Sequence, residues 1–404
     1  MHYTRRNFLK NMAKAITFMG LPTYNLKKAI AAPSQLNIGI IASLSGVRAG
    51  LGREGLRGAQ LAVDEINSGG GIRGIKTHIN IMDDQGKVEQ GYRAFQILAR
   101  AYDTIALIGT TTVFYDKTLS ELAESYKLPF FVLNPFRRSW YREGLKYTFR
   151  IVPEVSLMAD QAVSYLKEIA NNKKVAINKI CVFRSESKAW DEALEKIVTA
   201  SKREKLSLEF TQSVPYNISD IRRIVRKNQN KSSDIVFLLT GNETQTKVIV
   251  ETMREVRYKA KAIVGFFSNL ANSAYVAENG NLFLNLMDAN YWGDPKRDEI
   301  KLFQKRFRNQ HGVYPSNDAY GTYTAIMILK YAIEKSGSIE KSSFTSFMRE
   351  KKLPNFLLAQ RGGISFDKQG RNVNAETILL QVSNPRPISI YPENFADRKP
   401  VFPI

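Results

Sequence analysis

Asn37-Ile-Gly-Ile-Ile-Ala-Ser43, followed by Leu56, Ala59, Val63 and Ile66 on one face of residues 55–67, decides the fold class. The first stretch is a short apolar run bounded by polar residues, as expected of a strand buried on both faces. The second repeats at three and four residues, the spacing of a helix with one face in a core. The alternation continues with strand 78–83, helix 87–101, strand 105–109, helix 117–126 and strand 129–133. Such a βαβαβαβ order implies a mainly parallel sheet covered on both faces. After Pro153 the pattern restarts: helix 155–170, strand 180–183, helix 189–204, strand 206–213, helix 218–229, strand 235–239, helix 244–256 and strand 262–266. Two long helical patterns follow, 297–310 and 317–336. A β-like tail closes the chain, with 362–367 and 377–382 as strands, Asp367-Lys-Gln-Gly370 as a turn and Pro385–Ile404 as an extended surface strap. The expected fold class is α/β, with two similar doubly wound parallel-sheet lobes.

Composition narrows the function classes. The chain has 404 residues, 44% of them apolar and 24% charged, which excludes a disordered chain, a collagen and a disulfide scaffold. A single cysteine, Cys181, excludes an intramolecular disulfide and a cysteine metal cluster. His2, His78 and His311 are widely separated, which opposes a histidine-based metal site; no cofactor is expected. No stretch approaches the roughly 20 apolar residues of a membrane span.

The outlier is charge, with 59 basic against 38 acidic residues for a net +21. Part of it belongs to an address. Thr4-Arg5-Arg6-Asn7-Phe8-Leu9-Lys10 fits the twin-arginine export pattern, Met12–Leu21 is mildly apolar, and Ala29-Ile30-Ala31 is a small-x-small cleavage site. Residues 1–31 are expected to be a signal peptide cleaved near Ala31, with the mature chain in the periplasm; a basic amphipathic first helix is the alternative. Removing them takes six basic and no acidic residues and leaves +15. The remaining basic residues are dispersed, and export argues against nucleic acid as a partner.

Gly50-Leu-Gly52-Arg-Glu-Gly55 spells G-x-G-x-x-G between a strand and a helix. A dinucleotide reading would set pyrophosphate at the helix start and make the protein an exported NAD(P)-dependent oxidoreductase. Spacing opposes it. Six residues separate Ser43 from Gly50, and Asp83-Asp84 arrives about ten residues late for a ribose contact. The other reading is a mobile glycine-rich lip before a helix whose free N–H groups hold an anion or a carbonyl.

Ile38-Gly-Ile-Ile-Ala-Ser-Leu-Ser45-Gly46, Gly58-Ala-Gln-Leu-Ala-Val-Asp-Glu-Ile-Asn67, Gly70-Gly-Ile-Arg-Gly74 and Asp83-Asp-Gln85 stand in a familiar order. With Ile108-Gly-Thr-Thr-Thr112, Tyr147-Thr-Phe-Arg150, Pro315-Ser-Asn-Asp-Ala-Tyr320-Gly and Gly363-Ile-Ser-Phe-Asp367, the chain resembles the type I periplasmic solute-binding proteins of ABC importers. These are the leucine/isoleucine/valine-binding family and its amide- and urea-binding relatives. The resemblance implies a three-crossing hinge, placed near Val152–Glu154, Leu286–Asn290 and Phe356–Gly362. Lobe 1 would be 36–152 plus 290–356, lobe 2 would be 153–289 plus 362–385, and 386–404 the strap. It also implies a small-molecule ligand held between the lobes, an inner-membrane ABC permease as partner, a monomer, and no enzymatic reaction. A sensory ligand-binding protein of the same fold is the alternative.

The resemblance also places a site. In amino-acid binders the loop matching 110–116 presents a serine to the ligand carboxylate; here Thr111 and Thr112 keep hydroxyl donors and Tyr115 stands near the serine's place. The next loop brings Asn134 and Phe136, the latter about where a threonine holds the head group. On the opposite wall Phe267 takes the place of an acidic residue for the ligand ammonium. Trp190 replaces a tyrosine, and Asn242 and Glu243 follow another strand. In the first loop Ser45 is a further candidate and Arg48 offers a carboxylate clamp. Losing the ammonium site while keeping hydroxyls points to an aromatic or apolar carboxylate rather than a standard amino acid. Each aromatic could instead be core, each threonine a helix cap and Arg48 a solvated loop charge.

Overall fold

In the computed structural model, residues 33–46, 48–109, 117–135, 144–231, 233–384 and 386–404 are described. Gln35–Ala42 (β1) pairs in parallel with Lys76–Asp83 (β2) on one side and Thr104–Gly109 (β3) on the other. Phe130–Val132 (β4) and Thr148–Arg150 (β5) complete an all-parallel sheet of order β2-β1-β3-β4-β5. Ala49–Ser68 (α1), Val88–Ala101 (α2) and Lys117–Ser125 (α3) alternate with these strands. Strand residues point to opposite faces in turn. Ile38 and Ile40 therefore meet Ala59 and Val63 of α1, while Ile41 and Leu107 meet Phe95 and Leu98 of α2.

The second sheet repeats the plan. Its parallel part comprises Lys179–Ser185 (β6), Ser207–Val214 (β7), Ile235–Leu239 (β8), Ala262–Phe266 (β9) and Met287–Asn290 (β10). Val155–Asn172 (α4), Asp191–Arg203 (α5), Ile218–Lys227 (α6), Glu243–Glu255 (α7) and the short Ser273–Glu278 (α8) lie between them. Leu166 of α4 and Ile197 of α5 share a core with Val182 and Phe237. Ile221 of α6 and Ile249 of α7 cover Cys181, Phe183 and Leu238 on the other face. The chain then supplies Asp298–His311 (α9), Asn317–Ser336 (α10) and Lys341–Glu350 (α11) before two antiparallel strands, Ile378–Ser383 (β11) and Arg386–Tyr391 (β12). The seven-stranded order is β12-β11-β10-β9-β8-β6-β7. Since α10 packs along α1 of the first sheet, the chain crosses between the lobes three times.

Those crossings are tied to one another. Arg150 N donates to Gly370 O at 2.7 Å and Asn372 N to Arg150 O at 2.9 Å. Asn372 Nδ2 reaches Gln360 Oε1 at 2.7 Å, and Ala359 N reaches Trp292 O at 2.9 Å. A narrow hydrogen-bonded waist of this kind is where two packed lobes can rotate.

Four expectations need correction. The tail segment 362–367 makes only isolated bridges, Leu353 with Ile364 and Phe366 with Asn372; the second tail strand is β12, inside the segment expected to be a surface strap. Its Pro387, Ile388, Ser389 and Ile390 are buried against β11. Residues Leu286–Asn290, expected as a crossing, are mostly β10, and the chain leaves only after it. Finally, α1 begins at Ala49, so the three glycines of G-x-G-x-x-G are helical rather than a lip. A Cβ on Gly52 would lie 1.9 Å from the Ser43 carbonyl oxygen. The helix start presses on the end of β1, and only glycine permits that approach.

Candidate functional site

Strand order reverses between β1 and β3 in the first sheet and between β6 and β8 in the second. Such switch points open a crevice at the carboxyl ends of the strands, where ligands of open α/β sheets bind. Here the two crevices face each other. Arg48, just past β1, donates through Nη2 to Gly241 O, just past β8, at 2.8 Å. The Cβ position of Gly241 also lies 3.9 Å from Trp190 Nε1, past β6. At the second residue of α1, a Cβ on Gly50 would stand 3.1 Å from Glu243 Oε1 at the start of α7.

The first wall is braced from below. Asp84 Oδ1 accepts from Ser43 Oγ at 2.6 Å, and Asp83 accepts from Leu44 N at 2.9 Å and Ser45 Oγ at 2.6 Å. Burial works against ionising Asp83, but these donors outweigh it and hold its carboxyl below the usual range. The braced loop ends at Arg48, which is buried. Burial lowers its guanidinium to about 10, opposed by Asp318, Tyr216 and Asp84. It remains a cation at any physiological pH.

The second wall is aromatic and capped. Trp190 is buried in the turn that opens α5. Phe267 follows β9 at φ 44°, a left-handed backbone unusual for a bulky residue, with its N–H on Ala289 O at 3.0 Å. Its ring stacks on Tyr291, centroids 6.0 Å apart and planes at 27°. Asn242 caps α7 by accepting from Gln245 N at 2.8 Å. Glu243 is half-buried and its carboxyl is raised by burial and by Glu278, against the pull of Arg53. At the mouth a cavity of about 590 Å³ runs between Gly50, Arg53 and Glu54 on one side and Asn242, Glu243 and Tyr275 on the other. That volume suits a small organic molecule.

Serine–aspartate pairs such as Ser43 with Asp84 and Ser268 with Asp288 brace the turns after β1 and β9. The Cys181 thiol is buried under β6 and pushed up to about 11 by burial. Among the described residues no group of three His, Cys, Asp or Glu could hold a metal ion, and no helix is long and apolar enough to cross a membrane. Two lobes with facing switch points, a three-strand waist and a polar-aromatic cleft make a device for enclosing a molecule.

Sequence comparison decides the lineage. Residues 35–386 match the periplasmic binding protein family. The chain belongs to that family. It is 24% identical over 384 residues to Leu/Ile/Val-binding protein homolog 8 of Brucella abortus, covering 91% of this chain and 93% of that protein. Its fold is similar to that of the branched-chain amino acid transporter substrate binding protein of Streptococcus pneumoniae in complex with isoleucine. That match has a TM-score of 0.75 at 18% identity and covers 89% of this chain and 100% of that one. It is also similar to an R. palustris ABC transporter solute binding protein in complex with benzoate. There the TM-score is 0.74 at 14% identity, covering 91% and 97%. The family and these relatives are binding proteins of ABC transporters, not enzymes.

In this periplasmic binding protein Arg48, Trp190, Asn242, Glu243 and Phe267 stand past four different strand ends, and of these Asn242 and Glu243 line the cavity. Asn134 is buried just past β4, and Ser45 is exposed with its hydroxyl spent on Asp83. Thr111, Thr112, Tyr115, Phe136 and the leader 1–31 lie outside the described residues. Three residues escaped the sequence reading: Glu54, which lines the cavity, and the buried Asp318 and Tyr291, which do not. Asp318, on the first turn of α10, is fully buried with its own N–H and the Asn317 side chain as neighbouring donors, although neither oxygen meets one in good hydrogen-bond geometry; Asn317 also neighbours Tyr291 Oη. Burial, with Glu54 nearby, raises Asp318 to about 8 despite Arg48. The sequence carried one signal for it, an acidic residue one turn from Gly321 at the start of a long apolar helix, where a cap would suffice as explanation.

Proposed function

We propose that the protein captures an aromatic or apolar carboxylate in the cleft and delivers it to an inner-membrane ABC permease. The observation that carries this reading is the meeting of the buried Arg48 guanidinium and the Trp190 indole at Gly241, with Phe267 stacked on Tyr291 past the neighbouring strand end. A carboxylate is the natural partner of an arginine with donors to spare, and flat rings prefer stacked or edge contacts with other rings. Position 267 itself carries a phenylalanine and so offers no carboxylate to an α-ammonium. The benzoate complex of the R. palustris relative supports an aromatic acid, although the S. pneumoniae relative takes isoleucine in the same fold. Asn134, Asn242 and Glu243, with Thr111, Thr112, Tyr115 and Phe136, complete the proposed lining. Ligand capture would lock lobe 1 (36–152, 290–356) onto lobe 2 (153–289, 362–385) about the waist. The permease would read the closed pair.

Residues 1–31 would direct the folded chain through the twin-arginine route to the periplasm, where it would work as a monomer. A thermal-shift and calorimetric panel of benzoates, phenylacetates, branched-chain amino acids, amides and NAD(P) tests the reading. A ligand at about 100 times its dissociation constant adds about 2.7 kcal/mol to the folded state. Stabilisation by aromatic acids that Arg48→Ala abolishes is the expected result. Stabilisation by leucine or isoleucine alone would overturn it.

A further inference from the structure

Of the large apolar side chains left exposed among the described residues, Tyr216 at 58% and Ile218 at 47% are the two that line the cleft cavity. Both lie just past β7, a strand end that the proposed lining does not use. Their backbone is firmly held. Gln245, fully buried in the first turn of α7, donates through Nε2 to Val214 O at 3.1 Å and to Pro215 O at 3.0 Å. Asn217 Oδ1 accepts from Asp220 N at 3.2 Å and caps α6. Tyr216 is therefore fixed on both sides while most of its ring is uncovered. Apolar surface held open in a concave site is surface that a bound molecule would bury. Tyr216 also stands near enough to the buried Arg48 to act on its guanidinium. From lobe 1 the same cavity meets Gly46, Ala49 and Gly50, which carry a methyl group or no side chain. Bulkier residues there would fill the space.

We infer that Tyr216 and Ile218 are specificity-determining contacts for the apolar body of the ligand, which packs between them and Gly46, Ala49 and Gly50 at the entry to α1. This rests on the aromatic-carboxylate reading above and adds the surface that selects the ring. A tyrosine on a fixed backbone has two side-chain torsions to lose, so it covers a large area at small entropic cost. Contact between rings favours a planar ligand over a branched aliphatic one of similar size. Gly50, the first glycine of G-x-G-x-x-G, gains a role that no dinucleotide explains. A side chain there would take up the ligand's place as well as meet Glu243.

Calorimetric titration of the full chain with benzoate and phenylacetate tests the assignment in the wild type, Tyr216→Ala, Tyr216→Phe and Ile218→Ala. Tyr216→Ala should weaken binding by about ten-fold or more, and Ile218→Ala by about three-fold. The melting temperature of the unliganded chain should stay at the wild-type value in both, because exposed side chains carry little of the fold. Tyr216→Phe keeps the ring and should bind as the wild type does, a rescue that a hydroxyl contact would not show. Equal binding by the wild type and Tyr216→Ala would overturn the inference and leave the carboxylate reading intact. Equal losses in Tyr216→Phe and Tyr216→Ala would do the same. No binding of either acid to the wild type would overturn both. Should Tyr216→Ala fail to fold, Ile218→Ala decides, since wild-type affinity in that variant overturns the inference and a loss supports it.

Discussion

Two aspartates, Asp288 and Asp318, are both fully buried, one in each lobe, and their surroundings are opposite. Asp288, in β10, accepts from Ser268 N at 3.1 Å, Ser268 Oγ at 2.6 Å and Asn290 Nδ2 at 2.9 Å. Asp318, at the start of α10, has only its own N–H and the Asn317 side chain as neighbouring donors, neither in good hydrogen-bond geometry. Burial raises both, Asp288 to about 7 and Asp318 to about 8. Three donors hold the first lower, although its desolvation remains the larger effect. The first carboxylate fixes the turn after β9, which sets the backbone of Phe267. The second, buried at the start of α10, holds no turn in this way.

The largest effect should separate these roles. Asp288→Ala strands three donors in a dry turn and is expected to cost about 3 kcal/mol in urea unfolding. Asp318→Ala strands none, and its stability should stay within about 1 kcal/mol of the wild type at pH 7, where the native group holds its proton. Equal losses in the two variants would break the comparison.

pH sharpens it. For an aspartate raised from 3.8 to about 7 or 8, the folded chain keeps a proton across a window in which the unfolded chain has released it. Stability contributed by that group is full below pH 4 and declines as pH rises to 7 or 8. The decline is about 1.4 kcal/mol for each pH unit in which only the folded chain is protonated. Asp83 and Asp234, held below 3.8, act in the other direction and weaken folding only as pH falls through their lowered values. Melting temperature should therefore fall from pH 5 to pH 8. Asp318→Asn, which cannot ionise, should flatten that fall and gain relative to wild type at pH 8. A slope unchanged by Asp318→Asn would show that the group does not titrate in this window.

The parallel sheets were readable because their strands are unbroken apolar runs and their helices keep a clean three-and-four spacing. Ile38 and Val182 need no context to be assigned inward. β5 and β10, three and four residues long, and β12 behind Pro385 were not, since runs that short carry no periodicity of their own and depend on neighbours for pairing. The start of α1 was missed because glycines at 50, 52 and 55 read as a loop. Their cause is the Ser43 carbonyl and the opposite lobe, contacts distant in sequence. Of the proposed lining, Arg48, Trp190 and Phe267 stand past strand ends, and strand ends follow from the fold. The burial of Asp318 and Tyr291 was not legible, because it depends on how α10 and the segment after β10 pack, contacts distant in sequence.

The same glycines give a smaller contrast between packing and closure. Gly52→Ala forces a methyl into the Ser43 carbonyl and should lower stability by about 2 kcal/mol. Gly50→Val instead meets Glu243 Oε1 and Asn272 Nδ2, both across the cleft, and α1 gains a residue better suited to a helix. Stability should barely move while closure is obstructed, and ligand affinity should fall about ten-fold, or about 1.4 kcal/mol. Small-angle scattering with and without ligand checks it, since the wild type should contract on binding and Gly50→Val should not.

The smallest expected effect separates a cap from a contact. Asn242 Oδ1 is committed to Gln245 N, so Asn242→Asp keeps the cap and adds a charge beside the raised Glu243, whereas Asn242→Ala removes the cap. Loss of the cap should cost about 1 kcal/mol. If Asn242 serves only α7, Asn242→Asp should match the wild type for an anionic ligand. If its amide also reaches the carboxylate, the new charge repels it, and Asn242→Asp should bind several-fold more weakly than Asn242→Ala. Titration of the two variants with the same aromatic acid reads the difference directly, because the variant with the better-capped helix would then be the poorer binder.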